Sequence, residues 1–280
     1  MKITVVVHEQ QPRTGSPRYM MELLRTVWRE AGHEVEVVRG VSAPIRGDIV
    51  FLHVDCTVVP RKYLEAVAQH PHVINRRAVD ISKTLYTPYI VRSPEEWDGP
   101  VVVKTVRNSG GHPERRLART TLLGRLQDRF WRLSEGSLAR ARWLNPREYP
   151  IFESAKDVPA GVFRNRALFV QRYLPERLGD RNVVRAYKFL GDQHISHLWT
   201  ARHPLGLSGG DYTLDDCPLP DPIVVARERL GFDYGAFQYV MHNGEPLLLD
   251  AYRTPGDTGF PELGRQHAEH LAPGIESFLR

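Results

Sequence analysis

Cysteine and lysine are scarce in the sequence and long apolar runs are missing, and each scarcity removes a class of function. Two cysteines, Cys56 and Cys217, stand in 280 residues with neither a CxxC pair nor a Cys/His metal spacing. That excludes a disulfide framework and a zinc module, and it reads as reduced thiols in a cytoplasmic protein. No apolar run approaches the roughly 20 residues of a membrane span. The opening residues MKITVVVHEQ have the pattern of a strand rather than the apolar core of a secretory leader. There is no Walker A sequence, no GxGxxG spacing and no Ser-His-Asp or Cys-His pattern for nucleophilic catalysis. Histidines are scattered, which gives a phosphohistidine no support, and neither an internal repeat nor a low-complexity run is visible. Charge is mildly biased, with 38 basic against 33 acidic residues and a net +5. This suits an anionic ligand; nucleic-acid binding would need basic groups on one face interleaved with aromatics, which the sequence does not show. Only six of the basic residues are lysines, so a lysine at the end of an apolar strand is informative.

What is present begins with alternating β and α signals. Ile3–His8 is an apolar run suited to a parallel strand covered on both faces. Arg18–Ala31 has helical periodicity through Met21, Leu24, Val27 and Trp28, stopped by Gly32. Glu34–Val38, Asp48–Val54 and His72–Asn75 read as strands and Pro60–Gln69 as a helix, which together predict a small open parallel sheet. Its ligand edge would carry His8, Glu9, His53 and Asp55 at strand C-termini.

Three later segments carry the chemistry. In Leu230–Gly256 two apolar runs, Ala236–Met241 and Pro246–Leu249, flank His242-Asn243-Gly244, the signature of a β-hairpin. Asp250 ends its second strand before an Arg-Thr-Pro-Gly turn, where an acid suits a cation or a phosphate-bound metal. Pro100–Glu114 is a β-branched strand ending in Lys104 and entering a loop with Ser109, Gly110 and Gly111. A strand-borne ammonium beside glycines can hold phosphates by point charge and by backbone N–H groups. Ala167–Glu176 is a short buried strand running to a proline, able to offer backbone groups to an adenine edge, with Glu176 near a ribose.

In order along the chain, these segments resemble the ATP-grasp superfamily over roughly residues 75–260. The resemblance implies α/β and α+β architecture: an N-terminal α/β pre-ATP-grasp domain at 1–87, a first ATP-grasp lobe with its lid at 88–166, and a second lobe with the metal hairpin at 167–280. It further implies ATP as nucleotide and Mg2+ as metal. Lys83 and Lys104 would contact phosphates, Ser109, Gly110 and Gly111 would form the lid, and Gln171, Tyr173, Leu174 and Glu176 would surround adenine and ribose. Arg185 and Arg253 would stabilise the transferring phosphoryl group, and Asp250 with Gln238 would hold the metal. The sequence departs from the family at that metal site. The family places an acid on the first hairpin strand and an acid-x-Asn triplet on the second; here stand Gln238 and Asp250-Ala251-Tyr252. A Gln carbonyl brings no neutralising charge, and a Tyr hydroxyl is a poorer ligand than an Asn carbonyl.

The chemistry implied is activation of a carboxylate as an acyl phosphate for attack by an amine or similar nucleophile. Two alternatives stay open: a degenerate ATP-grasp protein that binds nucleotide or a partner without turnover, and a small-molecule kinase on the same fold. The substrate would be a small molecule or peptide, with no nucleic-acid or membrane partner, and a homodimer is the base-rate expectation. Residues 115–147 read as a basic helix with Leu117, Leu122, Leu123, Leu126, Phe130 and Leu133 on its apolar face and arginines on the other. Leu205–Pro222 reads as a mobile loop whose Asp215 and Asp216 are more simply solvated acids than replacement metal ligands. Trp199, Arg202 and His203 precede that loop as candidate pocket residues. The last 20 residues read as a helix covering the sheet, and the chain reads as whole.

Overall fold

The structure, a computed structural model, describes residues 1–11, 19–132, 137–205, 213–256 and 260–279. The first unit is β1 (Lys2–Val7), α1 (Met20–Glu30), β2 (Glu34–Arg39), β3 (Ile49–Leu52), α2 (Arg61–Ala66) and β4 (Val73–Ile74). Its strands form a parallel sheet in the order β2-β1-β3-β4. Alternation explains why β1 is apolar on both faces. Ile3, Val5 and Val7 pack with Met20, Leu24 and Trp28 of α1, whereas Val6 packs on the other side with Leu52 and Tyr63.

The second unit comprises β5 (Ile90–Val91), β6 (Val101–Thr105), α3 (His112–Ala118), α4 (Leu122–Arg132), β7 (Ile151–Phe152) and β8 (Leu168–Arg172). Its antiparallel sheet runs β5-β8-β6-β7. β8 thus belongs here, in register from Val101↔Arg172 to Thr105↔Leu168, so a boundary between residues 166 and 167 falls one strand too early. The basic segment also differs from its expected pattern. Leu117 is buried, but Leu122, Leu123 and Leu126 are exposed, and Asp128 of α4 is instead buried against Arg115 at 2.5 Å and Arg119 at 3.3 Å. Two charge-assisted contacts to one buried carboxylate override the apolar stripe. The side chain of Phe130 and all of Leu133 lie outside the described residues.

The third unit is β9 (Glu176–Leu178), β10 (Arg181–Leu190), β11 (Gln193–Ala201), β12 (Thr213–Asp216), α5 (Asp221–Arg229), β13 (Tyr234–His242), β14 (Glu245–Tyr252) and α6 (Pro261–Leu271). Its antiparallel order is β12-β11-β10-β13-β14, with β9 also on β10. In the β13–β14 turn Asn243 and Gly244 both adopt positive φ, 50° and 84°, the conformation that a two-residue hairpin turn of this twist demands. The expected loop at 205–222 is in part strand. Its Asp215 and Asp216 lie on β12, at the opposite edge of the sheet from β14, and its residues 206–212 lie outside the described residues.

Two devices join the units. Asn75, in the left-handed region at φ 64°, accepts from the N–H groups of Asp233 and Tyr234 and donates to the Tyr234 carbonyl at 2.8 Å. The 3-10 segment Ala272–Phe278 carries the end of α6 onto the first unit, where Trp28 Nε1 donates to Ala272 O at 3.0 Å. No described helix is long and apolar enough to cross a membrane.

Candidate active site

A cleft opens between the second and third sheets, and strand alternation decides which side chains line it. Val101 and Val103 of β6 point into the second unit's core, so Val102 and Lys104 point the other way, into the cleft. Gln171 stands opposite Val102 on β8, and Arg172, Tyr173 and Leu174 continue the wall. Facing them are Asn182 and Val184 of β10, Gln238 and Val240 of β13, and Leu249 and Asp250 of β14. Gln238 pairs directly with Asp250; the next pair is Tyr239 with Leu248, so Leu249 is a bulge residue. Bulges re-aim side chains and are over-represented beside active sites.

The wall carries buried polar groups that the protein leaves incomplete. Gln171 Oε1, Asn182 Oδ1, Arg172 Nε and Asp250 Oδ1 are buried without a hydrogen-bond partner, although the Gln171 amide donates to Pro88 O at 3.3 Å and the Lys83 ammonium lies against Asp250 Oδ1. Buried polar atoms are nearly always satisfied, so four at one cleft favour a polar ligand. The Arg172 guanidinium lies over the rings of Trp97, at 4.1 Å, and Tyr89, at 5.3 Å. Lys104 is buried, and that burial alone lowers its pKa to about 8.

Of the residues named from sequence, Lys104, Gln171, Tyr173, Leu174, Gln238 and Asp250 meet in the cleft. The others sit elsewhere. Lys83, on the 3-10 turn Lys83–Leu85, is fully buried behind the wall with its ammonium on Asp250 Oδ1. Burial and the nearby Lys104 charge push the Lys83 pKa down, although its side-chain nitrogen is in ion-pair contact with Asp250. Glu176 and Arg185 face one another in a forked pair of 2.6 and 3.0 Å, and Glu176 also accepts from the Met241 N–H at 2.7 Å. Arg253 points away from the cleft. Its guanidinium, 1% exposed, donates to Ala78 O, Cys56 O and Val79 O at 2.7, 2.8 and 3.1 Å, with a longer contact to Val54 O. Burial lowers its pKa to about 10; it stays charged near neutrality and ties the end of the hairpin to the first unit.

Ser109, Gly110 and Gly111 form a left-handed turn, at φ 48°, 67° and 76°. A Cβ on Gly110 would overlap the Leu144 carbonyl oxygen, and one on Gly111 the Trp143 ring. The turn is packed down rather than lining the cleft. Asn108 anchors it, its N–H donating to Thr57 Oγ1 at 3.0 Å and its amide to Ala251 O at 3.1 Å. Among the strand-end residues of the first unit, His8 is buried, and Glu9 is held by Lys62 and Tyr63. Asp55 accepts from Tyr19, Arg116 and Thr254 at 2.6, 2.7 and 2.8 Å, which knots three units together. His53 is buried with both ring nitrogens unpartnered, and burial lowers its pKa to about 4. Pro204 and Leu205 reach the cleft, whereas Trp199, Arg202 and His203 do not line it.

The donor set does not fit a magnesium ion. Asp250 Oδ1 is covered by the Lys83 ammonium, and Gln238 Oε1 accepts the Tyr252 hydroxyl at 3.0 Å. Among the described residues no group of three His, Cys, Asp or Glu side chains is placed to hold a metal. A hard cation that prefers carboxylate oxygens finds one carboxylate here, and that one is already paired.

Sequence reasoning missed Arg172 and Asn182. Asn182 had a readable signal, a polar residue in phase with Val184 and Ala186 on a largely apolar strand face. Arg172 had none, because Tyr89 and Trp97 reach it only through the fold.

No protein-family model and no curated protein matches the sequence, but solved structures match over almost its full length. The ATP-grasp ligase PsnB complexed with minimal precursor, Mg and ADP is 15% identical, with 99% of this chain and 97% of that chain covered and a TM-score of 0.58. A RimK domain protein ATP-grasp from Sphaerobacter thermophilus DSM 20745 is 14% identical, with 100% of each chain covered and a TM-score of 0.53. The macrocyclase MdnC bound with precursor peptide MdnA from Microcystis aeruginosa MRC is 11% identical, with 98% of this chain and 100% of that chain covered and a TM-score of 0.54. At such identities the likeness is one of fold.

Proposed function

This chain has the ATP-grasp fold, and we propose that it is an ATP-dependent ligase that activates a carboxylate for attack by an amine or similar nucleophile. The observation that carries this reading is the cleft between the second and third sheets. It sets the buried Lys104 ammonium near the unsatisfied Gln171 and Asn182 oxygens and the apolar Val102, Val184 and Leu249. An adenine suits the apolar walls and the polar edge at Gln171 and Tyr173; phosphates suit Lys104. The γ-phosphoryl group would pass to a carboxylate oxygen as ADP leaves, and the nucleophile would then expel phosphate as its bond to the acyl carbon forms. In such transfers the protein supplies positioning and charge neutralisation, a task that falls to lysine and arginine side chains in this chain. Structural neighbours bound to a precursor or a precursor peptide make a peptide carboxylate a substrate class to test.

A second reading is favoured by the hairpin: Lys83 on Asp250 and Tyr252 on Gln238 suit a protein that binds nucleotide without turnover. The two are separated by incubating the protein with ATP, hydroxylamine and a panel of free and peptide carboxylates. The ligase reading expects ADP release with hydroxamate formation, both lost in Lys104→Ala. Nucleotide binding without ADP release across the panel supports the second reading instead.

A further inference from the structure

The hairpin end of the cleft holds an ion pair where a divalent cation would have to sit. Asp250 is the one acid among the described residues lining the cleft, and the Lys83 ammonium meets its Oδ1 from behind. The turn that delivers Lys83 is fixed at two points. The Lys83 N–H donates to Val106 O at 2.9 Å, and the Tyr86 hydroxyl accepts from the Ala251 N–H at 3.0 Å, next to Asp250 itself. The neighbouring oxygen is also engaged, since Gln238 Oε1 accepts from Tyr252. A metal ion entering from the cleft would meet a single carboxylate whose charge a tethered, buried ammonium already neutralises, and charge pairs taken out of water are costly to break. On the open side of Asp250 the walls carry two cations, Lys104 and Arg172.

Resting on the reading that the cleft holds ATP, we propose that Lys83 stands in for the divalent cation. It neutralises Asp250 from behind, so that a nucleoside triphosphate binds through side-chain cations and needs no magnesium. The role is electrostatic: with the carboxylate neutralised, the cleft presents net positive charge to the phosphates, and no ion is needed to bridge like charges.

The test is calorimetric affinity for a non-hydrolysable ATP analogue, in excess magnesium and in excess EDTA. It uses the wild type, Lys83→Met, and Lys83→Met combined with Asp250→Asn. The wild type is expected to differ by less than about threefold between the two conditions, within roughly 0.7 kcal/mol. Lys83→Met bares the carboxylate, so its affinity in EDTA should fall at least about tenfold and recover with magnesium. The double variant replaces the pair by neutral groups of similar size; it should recover the EDTA affinity lost in the single variant and ignore magnesium. It also decides the matter if the single variant does not fold. Wild-type binding that requires magnesium overturns the inference and leaves the nucleotide reading standing. A folded single variant that binds as tightly as wild type in EDTA does the same, as does a double variant that loses the analogue there. No wild-type binding in either condition overturns both.

Discussion

Lys104 carries its charge where burial disfavours it, and that has two opposite consequences for pH. Its pKa in the folded protein is about 8, lowered from 10.5 by burial, so between these values the unfolded chain binds more protons than the folded one. Folding stability therefore rises as pH climbs from 8 to 10.5, and the cost of burying the ammonium is fully present below the folded pKa. Lys104→Met should raise the stability of the free protein near neutral pH by up to about 3 kcal/mol, measured by urea unfolding. Nucleotide affinity should move the other way. Phosphates need the charged form, so wild-type affinity should fall as pH rises above about 8, and the variant should bind weakly with a flat profile. A wild-type affinity indifferent to pH from neutrality to about 10 would remove Lys104 from the phosphate site. Lys104 was legible because alternation along one strand fixes its direction. The directions of Lys83 and Arg253 were not legible, because their partners Asp250, Val54, Cys56 and Ala78 lie far away along the chain.

Among the elements, the β13–β14 hairpin is held in place by an arginine rather than by its own strands alone. Arg253 follows β14 and donates to carbonyls of the first unit and of the segment leading to Lys83. Lys cannot reproduce that planar fork, and buried carbonyls left without donors are costly. Arg253→Lys is expected to lower stability by about 3 kcal/mol, while leaving affinity for an ATP analogue within about threefold once the protein is folded. A large loss of affinity without loss of stability would instead place Arg253 on the phosphates, as the sequence pattern suggested. The hairpin was readable because Asn-Gly between two apolar runs is a local signal. The lobe boundary and the exposed leucines of α4 were not, since both depend on contacts made elsewhere. β8 pairs with β6 across a long intervening segment, and Asp128 is drawn inward by Arg115.

Among the described residues, His53, His197 and His267 are the histidines that burial shifts furthest towards the neutral form. Burial lowers His53 to about 4, His197 to about 3 and His267 to about 4. His53 lies on the first unit beside Tyr19 and Tyr234, and His197 of β11 faces His267 of α6 with ring centroids 5.5 Å apart. The unfolded chain takes up these three protons near pH 6.5 and the folded one does not. The stability tied to their neutral forms is therefore complete above that value. It is lost as pH falls towards the folded values, at a slope of up to about 4 kcal/mol per pH unit. Unfolding followed from neutral pH down to about 4.5 should show this loss, with His267→Phe making the acid limb shallower; an equally steep limb in the variant would contradict the assignment. The parallel sheet of the first unit was legible from alternating β and α signals, whereas the two later units were expected only from the family resemblance. The cleft between those two was not legible, since no single segment contains it. Everything proposed for this chain depends on nucleotide occupying that cleft, and photo-crosslinking with an azido-adenine ATP analogue, followed by peptide mapping, can locate it. Labelling within residues 168–184 that unlabelled ATP competes away is the result expected; labelling outside the cleft walls, or labelling that ATP does not compete, would contradict it.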